Sequence, residues 1–470
     1  MFLILNSVKT TLYLFVFFYL LLFFETNSAF AVSVPDIFSN HVVLQQNAEI
    51  TLWGWAKTGE KVTVSVSWDQ KKVNVTANNL AQWKVTLNTP FAGGPYTIKI
   101  EGYNTIQIED VLIGEVWLAS GQSNMEWTPK AGIDGGEQEV AKANYPNIRF
   151  FTVDPKTADA TQLNVSGEWV VCTPQTMSEF SAVGYFFGKK LYQNLNTPVG
   201  IINSSWGGTP AEVWMNPKVI EENKLLKSAA SSLKEVPWGP VIPGKAYYAM
   251  IAPLIPFKIA GVIWYQGEAN TSIAESYSEL LSTLIASWRQ EWGYEFPFYY
   301  VQIAPFKYKE LFAGAILRDE QRQVLAVPKT GMVVVSDIGN IEDIHPKNKR
   351  DVGIRLANLA LAKTYNKHGL PVSGPLYKEM KLEGNKVRLF FDYAENGLII
   401  KGKELSQFEI AGADKNFVKA TAKIEGSSIV VQAKNLKHPV AIRFAWSNIA
   451  EPNLFNKDGL PASTFRTDNW

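Results

Sequence analysis

Val111-Leu112-Ile113-Gly114-Glu115-Val116-Trp117-Leu118-Ala119-Ser120-Gly121-Gln122-Ser123-Asn124-Met125 decides how this chain folds. The stretch reads as a buried strand that runs into a glycine-containing turn and presents a serine. Ligands of open parallel sheets bind at the carboxyl ends of strands. A serine opening the helix that follows has its hydroxyl exposed and its own N–H free to hold an oxyanion. Ser123 is therefore a nucleophile candidate, although Ser-Asn at that place also reads as a plain helix cap.

Outward from this stretch the chain alternates. Apolar strand candidates at 111–118, 199–203, 259–265, 297–303 and 331–336 are separated by helical patterns near 179–194, 274–292, 314–326 and 348–365. Strand-helix alternation of these lengths specifies an α/β region, a parallel sheet covered by helices on both faces. On either side the texture is different. Residues 32–107 hold short β-rich runs such as Ile50-Thr51-Leu52-Trp53-Gly54-Trp55 and Lys61-Val62-Thr63-Val64-Ser65-Val66, the mark of a small antiparallel sandwich. Residues 375–470 return to the same pattern in Lys386-Val387-Arg388-Leu389-Phe390-Phe391 and Ser428-Ile429-Val430-Val431. Three regions follow, 32–107, 108–374 and 375–470, with no low-complexity linker between them, so they should pack as one body.

A serine needs a base to take its proton. The chain has four histidines. His41 and His438 fall in the β regions, and His368 sits in a turn after a helix. His345 alone lies in a loop that follows a strand of the α/β region, after Val333-Val334-Val335-Ser336-Asp337. Elimination selects it, and its acid-flanked loop offers a carboxylate to hold the imidazole: Asp343, Glu342 or, at the strand end, Asp337. A Ser-His dyad oriented by a backbone carbonyl is the further alternative. Two more loops follow strands of the same sheet. Asn203-Ser204-Ser205-Trp206-Gly207-Gly208-Thr209 has two glycines whose N–H groups can approach a ligand closely. Trp264-Tyr265-Gln266-Gly267-Glu268-Ala269-Asn270 ends in polar residues, of which the Gln266 or Asn270 amide could be a third oxyanion donor. Together these loops describe acyl transfer.

Bulk properties narrow the classes. Lysine plus arginine number 45 and aspartate plus glutamate 44, so no long-range field recruits nucleic acid or an anionic membrane. The single cysteine, Cys172, excludes an internal disulfide and a Cys-based metal site; following the strand-like Trp169-Val170-Val171, it reads as a buried thiol. No paired-acid glycosidase signature, phosphate loop or His/Asp metal cluster is present, and no cofactor is implied. At the N-terminus an apolar run over 12–24 precedes Ala29-Phe30-Ala31, the form of an export signal cleaved near Ala31. The run is shorter than the roughly 20 residues of a spanning helix. The mature chain is thus expected to be secreted or periplasmic and free of the membrane. Of the 15 tryptophans, Trp127 is the first choice for stacking on a sugar, since it lies one helical turn beyond Ser123.

The blocks Gly121-Gln122-Ser123-Asn124-Met125, Trp206-Gly207-Gly208-Thr209, Trp264-Tyr265-Gln266-Gly267-Glu268-Ala269-Asn270 and Asp343-Ile344-His345-Pro346-Lys347-Asn348-Lys349 resemble, in order, those of the sialate O-acetylesterase family within the SGNH hydrolases. Segments at both ends, including Ile37-Phe38-Ser39-Asn40-His41 and Gly459-Leu460-Pro461-Ala462-Ser463, resemble the same family. The resemblance implies a serine esterase that removes O-acetyl groups from sialic acids. Acetylated xylan or another plant glycan is the alternative substrate. A protein that binds carbohydrate without catalysis is the alternative of another class, attractive only if His345 lies out of reach of Ser123. Wider relatives carry the acid three residues before the histidine, here Glu342, whereas the family block carries Asp343.

Overall fold

The computed structural model describes residues 31–470, so the segment read as an export signal lies, but for Ala31, outside the described residues. Seven strands make the central sheet: β1 (Thr105–Gly121), β2 (Tyr145–Thr152), β3 (Trp169–Cys172), β4 (Val199–Ser205), β5 (Gly261–Tyr265), β6 (Phe298–Val301) and β7 (Thr330–Val333). Their order is β7-β6-β5-β1-β4-β2-β3. All neighbours are parallel except the edge pair β2 and β3. The chain leaves β1 toward β2 on one side and later returns to add β5 on the other. The carboxyl end of β1 is therefore the place where the strand order reverses, and a crevice opens there.

Alternation of side chains along the central strands builds a core on each face. Val116, Leu118, Val262 and Trp264 share one apolar cluster with Leu280, Leu284 and Trp288 of α3 (Tyr277–Trp292). Trp117, Ala119, Ile263 and Tyr265 share the other with Val183 and Phe187 of α2 (Ala182–Leu195) and Leu356 and Ala360 of α5 (Lys349–Lys363). Period two in the strands and helical spacing in their covers meet on both sides, as the sequence implies. Between Ser123 and Glu126 runs the single turn of α1, and α4 spans Ala313–Gln323. Each expected strand and helix of this region is present to within a few residues. Strand β2 was not anticipated, because Pro146, Asn147 and Arg149 interrupt its apolar pattern.

The flanking regions are antiparallel. Glu49–Trp55 pairs with Gln82–Asn88, and Lys61–Val66 pairs with Asp69–Thr76 and Gly93–Glu101. Their inward residues, among them Leu52, Val64, Trp83 and Ile100, join the same cluster as one face of the central sheet. Strand β1 explains this continuity. Its first half pairs antiparallel with Gly93–Glu101 and its second half parallel with β4 and β5. The division placed at residue 107 thus falls inside one strand of 17 residues. The last region has a core of its own, around Leu389, Phe408, Ile442 and Phe465. It docks on α4 and on the end of β6 through polar contacts: the buried Arg318 guanidinium of α4 donates to Thr464 Oγ1 (3.0 Å) and the Ser447 carbonyl, and Nε2 of Gln302, just after β6, donates to Ser463 Oγ (2.8 Å). Cys172 is fully buried, and burial pushes its thiol up to about 12.

Gly121, where β1 ends, has φ +132°, and a Cβ there would lie 2.2 Å from the Tyr265 carbonyl oxygen. That carbonyl accepts the Gln122 N–H at 3.0 Å. Only glycine lets β1 turn so close to β5. Gly121→Ala is expected to destabilise the fold by at least about 2 kcal/mol, measured as a lowered midpoint in thermal or urea unfolding.

Candidate active site

At the turn following Gly121, α1 begins with Ser123, and Gln122 takes the capping position. The Ser123 side chain does not cap the helix. Its Oγ lies 2.9 Å from Nε2 of His345, on the loop that follows β7. The imidazole stacks on the indole of Trp127, with ring centroids 4.3 Å apart and planes 23° from parallel. Trp127 is thereby claimed by the histidine. It does not line the cleft, and the expectation that it stacks on a sugar is corrected: one helical turn beyond Ser123, its ring reaches the side of the serine where His345 sits. Trp127 Nε1 donates to the Gly132 carbonyl at 3.0 Å, which fixes the indole.

The three candidate acids are placed differently. Asp343 Oδ1 is 3.7 Å from His345 Nδ1 and accepts the backbone N–H of His345 at 2.9 Å. This side-chain-to-backbone bond makes the sharp turn that brings a residue two positions away beside the ring. Glu342 points elsewhere, into an ion pair with Lys307. Asp337 is held by both arms of the Arg355 guanidinium, at 2.7 Å each. Asp343 is therefore the acid nearest the imidazole, in ionic rather than hydrogen-bonding contact with it.

The oxyanion donors expected from the side chains are not available. Gln266 and Asn270 are fully buried and satisfy one another: Gln266 Nε2 donates to Asn270 Oδ1 (2.7 Å) and to the Thr209 carbonyl (3.2 Å), and Asn270 Nδ2 donates to Glu212 Oε2 (2.8 Å). An amide facing the cleft would leave these buried partners unpaired. Both residues instead tie the Gly207-Gly208 loop to β5. Gly207 does reach the serine: a Cβ on it would sit 3.4 Å from that of Ser123, whereas Gly208 lies against Trp238. The Gly207 N–H, however, donates to Glu126 Oε2 at 2.6 Å. Burial raises the Glu126 carboxyl above the usual range, against the opposing pull of that bond.

Asn124, Glu268 and Lys349 carry a role that the sequence did not disclose, although each stands in one of the quoted blocks. The Asn124 amide donates to Glu268 Oε1 (2.6 Å) and to the Ile344 carbonyl (3.0 Å), and its oxygen accepts from Lys349 Nζ. All three side chains are buried. Burial lowers the Lys349 ammonium to about 7 and raises the Glu268 carboxyl. His345 is also lowered, first by burial and next by Lys349, while Asp343 opposes the shift. Burial wins over the carboxylate, so the imidazole stays neutral to lower pH than an exposed histidine would. Among the described residues, no group of three or more His, Cys, Asp or Glu side chains could hold a metal ion.

Ser123 and His345 open into a cleft of about 920 Å³ lined by Gln122, Glu126, Trp206, Gly207, Gly208, Trp238, Glu268 and Glu310, among others. A hydroxyl held by a neutral imidazole, beside a glycine N–H whose present acceptor is the Glu126 carboxyl, is suited to attack a carbonyl carbon. The electrostatics give a direct test. His345 should titrate below its ordinary value of 6.5, and Lys349→Met should move that titration upward by removing a neighbouring positive charge. Imidazole proton resonances followed by NMR against pH measure both.

Residues 113–362 match the family described as "Carbohydrate esterase, sialic acid-specific acetylesterase". Sialate O-acetylesterase of Homo sapiens is 29% identical over 472 residues, covering 91% of this chain and 90% of its own length. The Rattus norvegicus enzyme of that name is 29% identical over 437 residues, covering 79% and 80%. A crystal structure of a novel carbohydrate acetylesterase from Xanthomonas citri superposes with a TM-score of 0.85 at 40% identity, covering 94% of this chain and 100% of the other. The chain thus belongs to the carbohydrate esterase family of sialic acid-specific acetylesterases and is a carboxylic ester hydrolase.

Proposed function

We propose that this protein is a serine esterase of the SGNH type that removes O-acetyl groups from carbohydrates through an acetyl-enzyme. The observation that carries the reading is the 2.9 Å contact between His345 Nε2 and Ser123 Oγ at the mouth of the cleft. It also removes the condition under which a merely sugar-binding protein was attractive. Ser123 Oγ attacks the acetyl carbonyl carbon while its proton passes to His345 Nε2. The Ser123 N–H and the Gly207 or Gly208 N–H stabilise the oxyanion, Glu126 yielding the Gly207 N–H as the oxyanion forms. Collapse breaks the bond to the sugar oxygen, which takes the proton from His345. Water, deprotonated by the same imidazole, then attacks the acetyl carbon, and collapse releases acetate as Ser123 Oγ takes the proton back from His345. Asp343 steadies the imidazolium from 3.7 Å, and the Trp127 face adds cation–π attraction.

The named relatives point to sialic acids as the substrate. A second reading, a neutral acetylated glycan such as acetylxylan, is favoured by the groups that line the cleft: the carboxyls of Glu126 and Glu310 against Lys234, with no arginine among the described lining residues. The sialic acid carboxylate calls for a cationic fork, which Arg provides best. Comparing acetate release from O-acetylated sialic acid and from acetylxylan separates the two. The Ala29-Phe30-Ala31 end of the N-terminal segment supports export of the mature chain to the periplasm or beyond, and N-terminal sequencing of the natural protein tests that.

Ser123→Ala is expected to lower kcat at least about a thousandfold and to leave the thermal midpoint almost unchanged, because the half-exposed hydroxyl contributes little to stability. Clean mutant protein with a tenth of the wild-type turnover would contradict the assignment. Neutralising the acids separately tests the third member. Asp343→Asn should cost roughly ten- to hundredfold in kcat, less than the ~10⁴-fold loss known for an acid directly hydrogen-bonded to its histidine. Glu342→Gln should stay within about twofold of wild type, since a surface ion pair is worth little.

A further inference from the structure

Part of the cleft lining comes from the segment 232–241, to which neither the sequence nor the mechanism gave a role. Trp238 stands out on it. The residue is 62% exposed yet lines the same cleft as Ser123. A bare indole at a cleft wall leaves a large apolar face in water, and such a face marks a binding surface. Its position is fixed from beneath. Gly208 has φ +72°, and a Cβ there would fall 2.1 Å from Cδ1 and Nε1 of Trp238, so the indole lies directly on the glycine backbone. Trp206 Nε1 donates to the Trp238 carbonyl at 3.1 Å, and Val236 bridges to Gly239, closing the turn that carries the indole. The ring is thus pinned to the loop that reaches Ser123 while it lines the cleft.

Resting on the esterase reading above in its neutral-glycan form, we propose that Trp238 is the sugar platform of this cleft, a specificity-determining residue on which a neutral acetylated pyranose stacks by its C–H face. A pyranose matches what surrounds the ring. One face of the sugar is apolar and covers the indole, while its edge of hydroxyls meets polar groups of the same cleft, the carboxyls of Glu126 and Glu310 and the hydroxyl of Ser272. Hydroxyls donate to carboxylates, whereas an anionic sugar would be repelled by them. The second glycine of the Gly207-Gly208 pair then has a purpose apart from the oxyanion: it makes room for the platform.

Two variants and two substrates test this. For each enzyme the ratio of kcat/KM on an acetylated neutral xylo-oligosaccharide to kcat/KM on p-nitrophenyl acetate is measured. Trp238→Ala should lower that ratio about tenfold or more, chiefly through KM for the sugar, and Trp238→Phe should retain it within about threefold. An unchanged ratio in Trp238→Ala overturns the proposal, as does loss of the ratio in Trp238→Phe to the same extent. Titration calorimetry of the oligosaccharide into Ser123→Ala, and into Ser123→Ala with Trp238→Ala, reads the platform without turnover. Weaker binding in the double variant supports it, and equal affinities overturn it. A wild-type chain that binds the sugar through Trp238 but releases no acetate would overturn the esterase reading and leave the platform standing.

Discussion

One buried amide holds the site together. Asn124 follows the serine, and its side chain joins Glu268 after β5, the Ile344 carbonyl on the histidine loop, and Lys349 at the start of α5. Serine and histidine are 222 residues apart in the chain, and loops that distant have no local reason to meet. A contact of 2.9 Å between them requires that the histidine loop be fixed against α1, and the bond from Asn124 to the carbonyl preceding His345 does that. Because the amide is out of water, every one of its polar groups must be satisfied within the protein, so the three elements it joins are specified together.

The same burial sets the charges. Glu268 and Lys349 are both pushed toward their neutral forms by desolvation, and each is drawn back by the other. The positive charge that Lys349 retains acts on His345, which burial has already lowered. An imidazole that remains neutral at modestly acid pH follows from this packing. Asp343 would pull the other way, yet its ionic contact is longer and partly exposed, so it tempers the shift without reversing it. Trp127 lies flat against the ring, and Lys347 sits over the same indole at 4.7 Å. The imidazole plane is thereby set by stacking more than by a carboxylate.

What the sequence disclosed follows from periodicity. Buried strands with apolar runs, such as 259–265, and helices with a continuous apolar face, such as 274–292, announce themselves because burial alone fixes their pattern. Strand β2 did not, since Arg149 inside it is matched by a tertiary partner, Asp110, at 2.6 Å that no local window contains. The boundary near residue 107 misled for a related reason: β1 is one strand serving two sheets, and composition changes along it where its partners change. At the candidate site, the places of Ser123 after β1 and of His345 in the loop after β7 were legible from type and position, and the structure brings the two to 2.9 Å. The Gln266 and Asn270 amides were misread as donors because a polar cluster at a strand end looks the same whether it faces the cleft or itself. Trp127 was likewise given to the substrate when it belongs to the histidine, and Trp238, in a loop without periodicity, left no sign at all.

The central claim, that His345 activates Ser123 as a nucleophile, is tested most directly by covalent capture. Protein treated with a fluorophosphonate at neutral pH and mapped by peptide mass should carry one adduct, on Ser123, and His345→Ala protein should remain unlabelled over the same time. An adduct on another serine, or equal labelling of Ser123 without the histidine, would contradict the account.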